Sequence, residues 1–460
     1  KPAFTVDLPP GNYRIEAVKG MEYVPVSQSF TVRKDNNGSV ELVFDRWIDM
    51  NSRGWYSGDT HTHFLSADTA LLEAQAEDLN VINVLATKWG ELITSANEVT
   101  GKPSPVSQPE NIVFFNEENR HEFLGHTILH PIKELIYPLS WGGDGATGTR
   151  GGYDFPPMAY QADKAHQQGG LVTWAHFPNP HGEVAVDVAL GKVDSVDLFT
   201  WRDAFLTPMV ATADLPSDIN RSIPGPIAWW YKFLNTGSKL PATAGTDKML
   251  NTQVSGSVRS YHFISDGNFI YDGWISAIRQ GRTFVTTGPM IFLKVNGQPV
   301  GSTLKLAAGQ EIELEAEVRT FYGRYPVETF EIVQNGEVIA SSENERQSDV
   351  LKISKKIKIH KSSWIAARAY DPKRLPYNIW PENDSYAEDQ AGTPSMAHTS
   401  PIYIDVPGTK RWSVKDAEFL ARKCEEAIYW ANTKARFHQE SQRQEVIALF
   451  EKARSIYLKR

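Results

Sequence analysis

His61 and His63 stand two residues apart in the stretch "GWYSGDTHTHF". On an extended backbone, side chains two apart point the same way, so two imidazoles can share one cation. Other segments carry groups of matching chemistry. "NIVFFNEEN" leads into Glu117 and Glu118, "FLGHTIL" carries His126, "LVTWAHFPNP" ends in His176, and "LPATAGTDKM" ends in Asp247. Imidazole and carboxylate together suit Zn, Mn or Fe rather than Ca or Mg. An isolated HxH is a weak signal. Several independent apolar runs that each end in His, Glu or Asp are much harder to dismiss.

These groups need elements to carry them. From Gly54 to about Thr287, strand-like runs such as "VINVLA", "NIVFF" and "SVDLF" alternate with helix-like runs such as "DTALLEAQAEDL" and "MAYQADKAHQQGG". That alternation predicts parallel βαβ units. In a parallel (β/α) barrel the strand ends converge on one face, where the candidate ligands would meet. Before this region, residues 1–50 read as a small all-β, sandwich-like domain, with a hairpin expected at the Asn-Asn-Gly of "TVRKDNNGSVELVF". Residues 290–408 alternate as a second β-sandwich-like domain. Residues 409–460 read as a helical hairpin. Ser413 and Asp416 form its start signal, with stripes at Val414, Ala417, Leu420, Cys424, Ile428 and Ala431, and at Val446, Leu449, Phe450, Ala453 and Tyr457.

In combination, "GDTHTHF", the Glu118 segment, "WAHFP" and "AGTDKM" resemble the motifs of the PHP (polymerase and histidinol phosphatase) metallohydrolase superfamily. "GRTFVTTGP" with a β domain after it is similar to the branch that includes bacterial carbaryl hydrolase. The resemblance spans roughly Gly54 to Gly301. It implies a distorted (β/α)7, TIM-like PHP barrel at residues 51–289. It also implies a dinuclear site: His61, His63, Glu118 and Asp247 around one metal, and Glu118, His126 and His176 around the other. Glu117 is the second choice for the glutamate, because Asn116 replaces the family's glycine. The family's Thr-Asp-His reads here Thr87-Lys88-Trp89, and its Asp-x-His reads Asp247-Lys248-Met249. Both losses fall on a third site, so the expected cofactors are two divalent transition metal ions, Zn first, with Mn or Fe as alternatives.

The expected function is an enzyme, a PHP-family metallohydrolase. A metal-bridging hydroxide would act on an ester, amide or carbamate bond. The first alternative is a phosphoesterase acting on phosphomonoesters or phosphodiesters; the second is a non-catalytic binding protein on the same scaffold. Besides Asp247 and Glu118, Arg202 and Arg259 are candidates to orient substrate or stabilise negative charge, against a salt-bridge role. Lys88 could put an ammonium where a third metal would sit. His181 is a candidate for the surroundings of the site. Trp229, Trp230 and Tyr231 are expected in the core in preference to a wall over it.

The bulk numbers bound these readings. The 460 residues exceed one core, and 41% hydrophobic with 22% charged is ordinary globular composition. A net charge of −8 argues against a nucleic-acid partner. No apolar run has the length of a membrane span. The single cysteine, Cys424, reads as a small buried group and does not decide the compartment. The expected partner is a small-molecule or extracellular polymer substrate, with the oligomeric state open. The flanking β domains and 13 Trp and 17 Tyr lean towards a periplasmic or secreted setting, with a cytoplasmic one as alternative. Lys1 leaves a processed start and a trimmed one both open.

Overall fold

A computed structural model describes residues 3–34, 38–143, 151–200, 226–250, 253–265, 267–371 and 395–459. Near the start, β1 (Gly11–Ala17) pairs antiparallel with β2 (Val26–Val32). The hairpin expected at Asn36-Asn37-Gly38 is not the one that forms. Residues 35–37 lie outside the described residues, and 38–44 form no strand. Val43 is exposed, so that run has no apolar face to bury. Met21, Ile48 and Met50 are buried, but in a core they share with residues 290–408. Too few large apolar side chains precede Met50 to build a separate one.

β3 (Trp55–Thr62) is followed by α1 (Ala67–Ala76), where Ser66 accepts the amide of Thr69 as N-cap. Then come β4 (Val81–Trp89), β5 (Leu92–Thr94), β6 (Ile112–His121), β7 (Gly125–His130), β8 (Ser140–Trp141), α2 (Met158–Gln167) and β9 (Leu171–Trp174). They are followed by α3 (Val184–Ala189), β10 (Ser195–Phe199), α4 (Pro226–Asn235) and β11 (Ala242–Ala244). Of these strands, β3, β6, β7, β9, β10 and β11 are buried along their length, as strands covered on both faces must be, while β5 is exposed.

Strands β3, β4 and β6 are mutually parallel, and so are β9, β10 and β11. Between the two runs lies β7, antiparallel to both β6 and β9. The parallel order is thus interrupted at β7. The link from His121 to Gly125 is too short for a crossover helix, and so short a link returns the chain antiparallel. The ends of the set meet where Thr62 bridges Lys248 and the amide of His63 donates to the Lys248 carbonyl at 2.8 Å.

On its other edge β3 pairs antiparallel with β12 (Arg259–Phe263). After α5 (Tyr271–Arg279), β13 (Thr283–Thr286) continues that sheet. The following residues form β14 (Met290–Val295), β15 (Gln298–Pro299), β16 (Thr303–Lys305), β17 (Gln310–Arg319), β18 (Thr329–Gln334) and β19 (Glu337–Glu343). Then come β20 (Val350–Ile359), β21 (Ser363–Tyr370), β22 (Met396–Thr399) and β23 (Ile402–Asp405). One sheet runs β15-β14-β17-β20. The other joins β19, β18, β21 and β22, and β22 pairs with β13. Hydrogen bonding is thus continuous across residue 289, where the sequence pattern suggested a boundary. Ile291, Leu293 and Leu314 meet Phe330, Ile365 and Ala367 between the two sheets.

The chain ends in α6 (Val414–Thr433) and α7 (Glu440–Leu458), packed against α3 and α4. Ser413 caps α6 through the amide of Asp416. Leu420, Cys424, Ala431, Val446, Phe450 and Tyr457 are buried, while Val414, at the first turn, is exposed. Burial pushes the Cys424 thiol up to about 12, which makes it inert at neutral pH. Among the described residues, no helix is long and apolar enough to cross a membrane.

Candidate metal centre

His61 lies on β3 and His63 just beyond it; Glu118 lies on β6 and His126 on β7. His176 and Asp247 follow β9 and β11. These side chains come together inside the set of strands as two buried triads: His61, His63 and Asp247, then Glu118, His126 and His176. In the first, His61 Nε2 is 3.0 Å from His63 Nε2 and 3.4 Å from Asp247 Oδ1, and His63 Nε2 is 3.6 Å from Asp247 Oδ1. In the second, His126 Nδ1 is 3.0 Å from His176 Nε2 and 3.2 Å from Glu118 Oε1, and His176 Nε2 is 3.6 Å from Glu118 Oε1. Ligands about 2.0–2.1 Å from one tetrahedral cation stand about 3.3 Å apart. Both triads match that spacing. Two imidazole lone pairs at 3.0 Å would repel, so a proton or a cation must lie between them.

Glu118 belongs to both groups. Its Oε1 is 3.7 Å from His61 Nε2 and its Oε2 is 3.4 Å from His63 Nε2. The choice between Glu117 and Glu118 follows from alternation on β6. Val113 and Phe115 pack outward with Ala70 and Ala74 of α1. Glu117 shares their parity and accepts hydrogen bonds from Asn119 and the Ile136 amide. Glu118 has the opposite parity and faces the histidines.

The electrostatics are set by burial among carboxylates. Burial would depress His61, but Asp247, with Asp197 and Glu118, carries it up to about 9. His176 is also raised, against its burial, by Glu118 and Asp247. Burial pushes His63 down to about 4. Burial and Arg120 push His126 down to about 3. Burial opposes the charge of Glu118, yet Arg120, His126 and His176 hold its carboxyl well below the usual range. In each triad one imidazole is raised and the other lowered.

Several supporting residues escaped the sequence reading. Asp59 accepts the amides of His61 (3.0 Å), Thr246 (2.9 Å) and Gly256 (2.7 Å), tying β3 to the segment that carries Asp247. Burial lifts its carboxyl to about 6. Its place two residues before His61, on the same strand face, is the signal that could have found it. Asp197 accepts from Thr60 (2.8 Å) and Thr243 (2.7 Å), and its Oδ2 stands 3.6 Å from His61 Nδ1. The Asn179 carbonyl accepts from His176 Nδ1, leaving Nε2 to face the cluster. Gly245 permits the close approach, since a Cβ there would stand 2.5 Å from His61 Cβ. His176 and Asp247 both have left-handed backbone, with φ of 32° and 48°. Such strain costs about 1–3 kcal/mol per residue and gathers at functional sites.

Arg120 also went unnoticed. Two residues beyond Glu118 on the same face of β6, it is buried, with Nε 3.5 Å from Glu118 Oε2. Its guanidinium carbon lies 3.4 Å from the centre of the Trp89 ring. Of the cations expected from the sequence, Arg259 is engaged elsewhere. Lys88 has the parity of Ile82 and Val84, the face of β4 that packs on α1. Arg259 is buried and donates to the carbonyls of Gly256 and Glu77, so it is a structural clamp. Arg202 lies outside the described residues. His181 contacts Asn179 and the Trp229 ring, not the triads. Trp229, Trp230 and Tyr231 sit in the core.

No protein-family profile and no curated protein matches the chain. Among solved structures, it is similar to fibronectin(III)-like modules of Clostridium thermocellum CbhA. The identity is 13% and the TM-score 0.16, over 32% of this chain and 61% of that one. A TM-score that low carries no argument about fold or activity.

Proposed function

We propose that this protein is a metal-dependent hydrolase with a dinuclear centre held by His61, His63, Glu118, His126, His176 and Asp247. The observation that carries the reading is the pair of buried triads at coordination spacing with Glu118 between them. Within that class, the sequence motifs favour a PHP-type enzyme of the branch resembling carbaryl hydrolase, acting on an ester, amide or carbamate. Bound divalent ions, Zn first and Mn or Fe next, would supply Lewis acidity and a water acidified to near neutrality. The chain's own contribution is positional. Asp59 and Asp197 hold β3 and the Asp247 segment in register, and Arg120 keeps Glu118 ionised. Burial of the donors keeps bulk water from screening their charge.

Phosphoester hydrolysis is the second reading, and Arg120 favours it. Its guanidinium Nε stands 3.5 Å from Glu118 Oε2, beside the ligand segments. A phosphoryl group is usually met by such a clamp. The test is a panel of chromogenic esters, amides, carbamates and phosphoesters with one leaving group, assayed with Zn and with Mn. Metal-dependent turnover of at least one class, lost in Asp247→Ala, is expected. Turnover that survives chelation or that substitution would defeat the proposal.

A further inference from the structure

We infer that the cleft between α4, the β18–β19 turn and the start of α6 binds a small ligand bearing two or more oxyanion groups. None of the proposed metal ligands lines this cleft, so the inference stands apart from the hydrolase reading.

The cleft has a volume of about 590 Å³, within the range of small-molecule sites. Its lining holds five cations, Lys232, Lys361, Lys410, Arg411 and Lys415, against two carboxylates, Glu337 and Asp416. That balance is the reverse of the chain's, whose net charge is −8. Two of the cations are committed to the fold. Lys232 pairs with Asp416 at 3.2 Å, and Arg411 donates to the carbonyls of Leu234, Gly237 and Ser238. Those carbonyls are neutral, so Arg411 keeps its charge unpaired. Lys361, Lys410 and Lys415 are exposed, and their ammonium groups make no ion pair or hydrogen bond among the described residues. With Asp416 spent on Lys232, Glu337 is the one carboxylate of the lining left to oppose them.

The backbone that presents these groups is anchored. Thr409 Oγ1 accepts the Ser362 amide at 2.8 Å, and the Asn235 carbonyl accepts the Ser413 amide at 2.9 Å. Lys410 lies between these ties, next to the fixed Arg411. Ser413 caps α6, and Lys415 stands in the first turn of that helix. A lysine there opposes the helix dipole, which favours negative charge at an N-terminus. An anion in the cleft would offset the ammonium and the dipole together. Trp412, half-buried, adds an apolar wall. A second recess of about 470 Å³ shares Ser362, Lys410, Arg411 and Trp412, and adds Lys305 and Asp405. Lys410 and Arg411 thus border both recesses, which suits a ligand with charge at more than one point. An ammonium is a compact point charge that meets carboxylate and phosphoryl oxygens alike. The shared chemistry is therefore the oxyanion, from either source.

Lysine acetylation of the full chain by an N-hydroxysuccinimide ester, read by mass spectrometry, reports each ammonium separately. The probes are inorganic pyrophosphate and tricarballylate at millimolar concentration, with sodium chloride at equal ionic strength as reference. Lys361, Lys410 and Lys415 should react at least fivefold more slowly with one probe present. Lys102, exposed and outside the cleft, should keep its rate. The probe that protects identifies the source as phosphoryl or carboxylate, and protection by both means that the cleft reads charge alone. In the double variant Lys410→Gln, Lys415→Gln, protection of Lys361 should need at least tenfold more probe. The two lysines hold no contact of the fold, so this variant should keep the wild-type circular dichroism. The readout sits on the cleft lysines and is blind to any anion bound at the metal centre. No protection by either probe would overturn the inference. So would equal slowing at Lys102, or a double variant in which Lys361 is protected as in the wild type. None of these outcomes involves turnover, so a failure here leaves the hydrolase proposal untouched.

Discussion

The two triads use the same donor types but are built differently. His61 lies on β3 and His63 just past its end, and Asp59 and Asp197 brace them and the Asp247 segment. Glu118 and His126 come from β6 and the antiparallel β7, and His176 follows β9. The second triad has a guanidinium beside it, where the first has two bracing carboxylates. The first is the better prepared for a cation, because its surroundings are negative and its spacing is local. The second has a fixed positive charge beside its carboxylate.

The substitution expected to matter most is at the carboxylate the triads share. Glu118→Gln should remove turnover and take metal content from two equivalents to one or fewer, measured by elemental analysis of purified protein. Two full equivalents retained would mean that the triads are independent. Asp247→Ala and His126→Ala should each remove one equivalent and abolish turnover while the protein stays folded by circular dichroism. Loss of both equivalents in either variant would erase the distinction between the sites. A smaller effect is expected from bracing. Asp59→Asn should weaken the first metal by about 10–100-fold and leave the second near its wild-type affinity. A competition titration with a chromophoric chelator reads both constants, and equal weakening would mean that Asp59 supports the whole fold rather than one triad.

The mildest prediction concerns protons. His61, raised to about 9, holds its proton at neutral pH without metal, while His63, lowered to about 4, holds none. The proton competes with the cation, so affinity at the first triad should rise with pH up to about 9 and then level off. Titrations at pH 7.5 in buffers of different ionisation heat should report roughly one proton released from His61. The sign for the metal-free fold is opposite. The stabilisation from charged His61 is complete below its unfolded value of about 6.5 and is lost as pH rises through about 9. A metal-free thermal midpoint that is flat across that window would show that the carboxylates do not hold the proton.

How much was legible in the sequence varied with how local each feature is. His61 and His63 could be paired from spacing alone, since alternation on a strand needs no partner. Glu117 and Glu118 could not be separated that way. Adjacent residues on a strand face opposite sides, and which side is interior depends on α1 covering Val113 and Phe115. The same parity puts Arg120 on the face of Glu118 and Lys88 on the face of Ile82 and Val84, although both stand next to ligand segments. The sequence left Arg259 open between a substrate contact and a salt bridge. Its side chain is spent on the Gly256 and Glu77 carbonyls instead. The Asn-Asn-Gly signal for a hairpin was locally sound, but no apolar face follows it, and β2 took β1 as its partner.

The sequence by itself determined the donor types: imidazole and carboxylate, each in or beside an apolar run. Those are properties of residue type and of period-two spacing, and they hold before any chain contact forms. Tertiary structure decided which donors meet and what surrounds them. His61 and Asp247 are far apart in the chain, and they stand 3.4 Å apart only because Thr62 bridges Lys248, Gly245 lets the backbones touch, and Asp59 ties the two segments. The raised His61 and the ionised Glu118 are likewise consequences of burial among opposite charges. A coulombic interaction depends on distance and dielectric, and neither exists until the chain has folded.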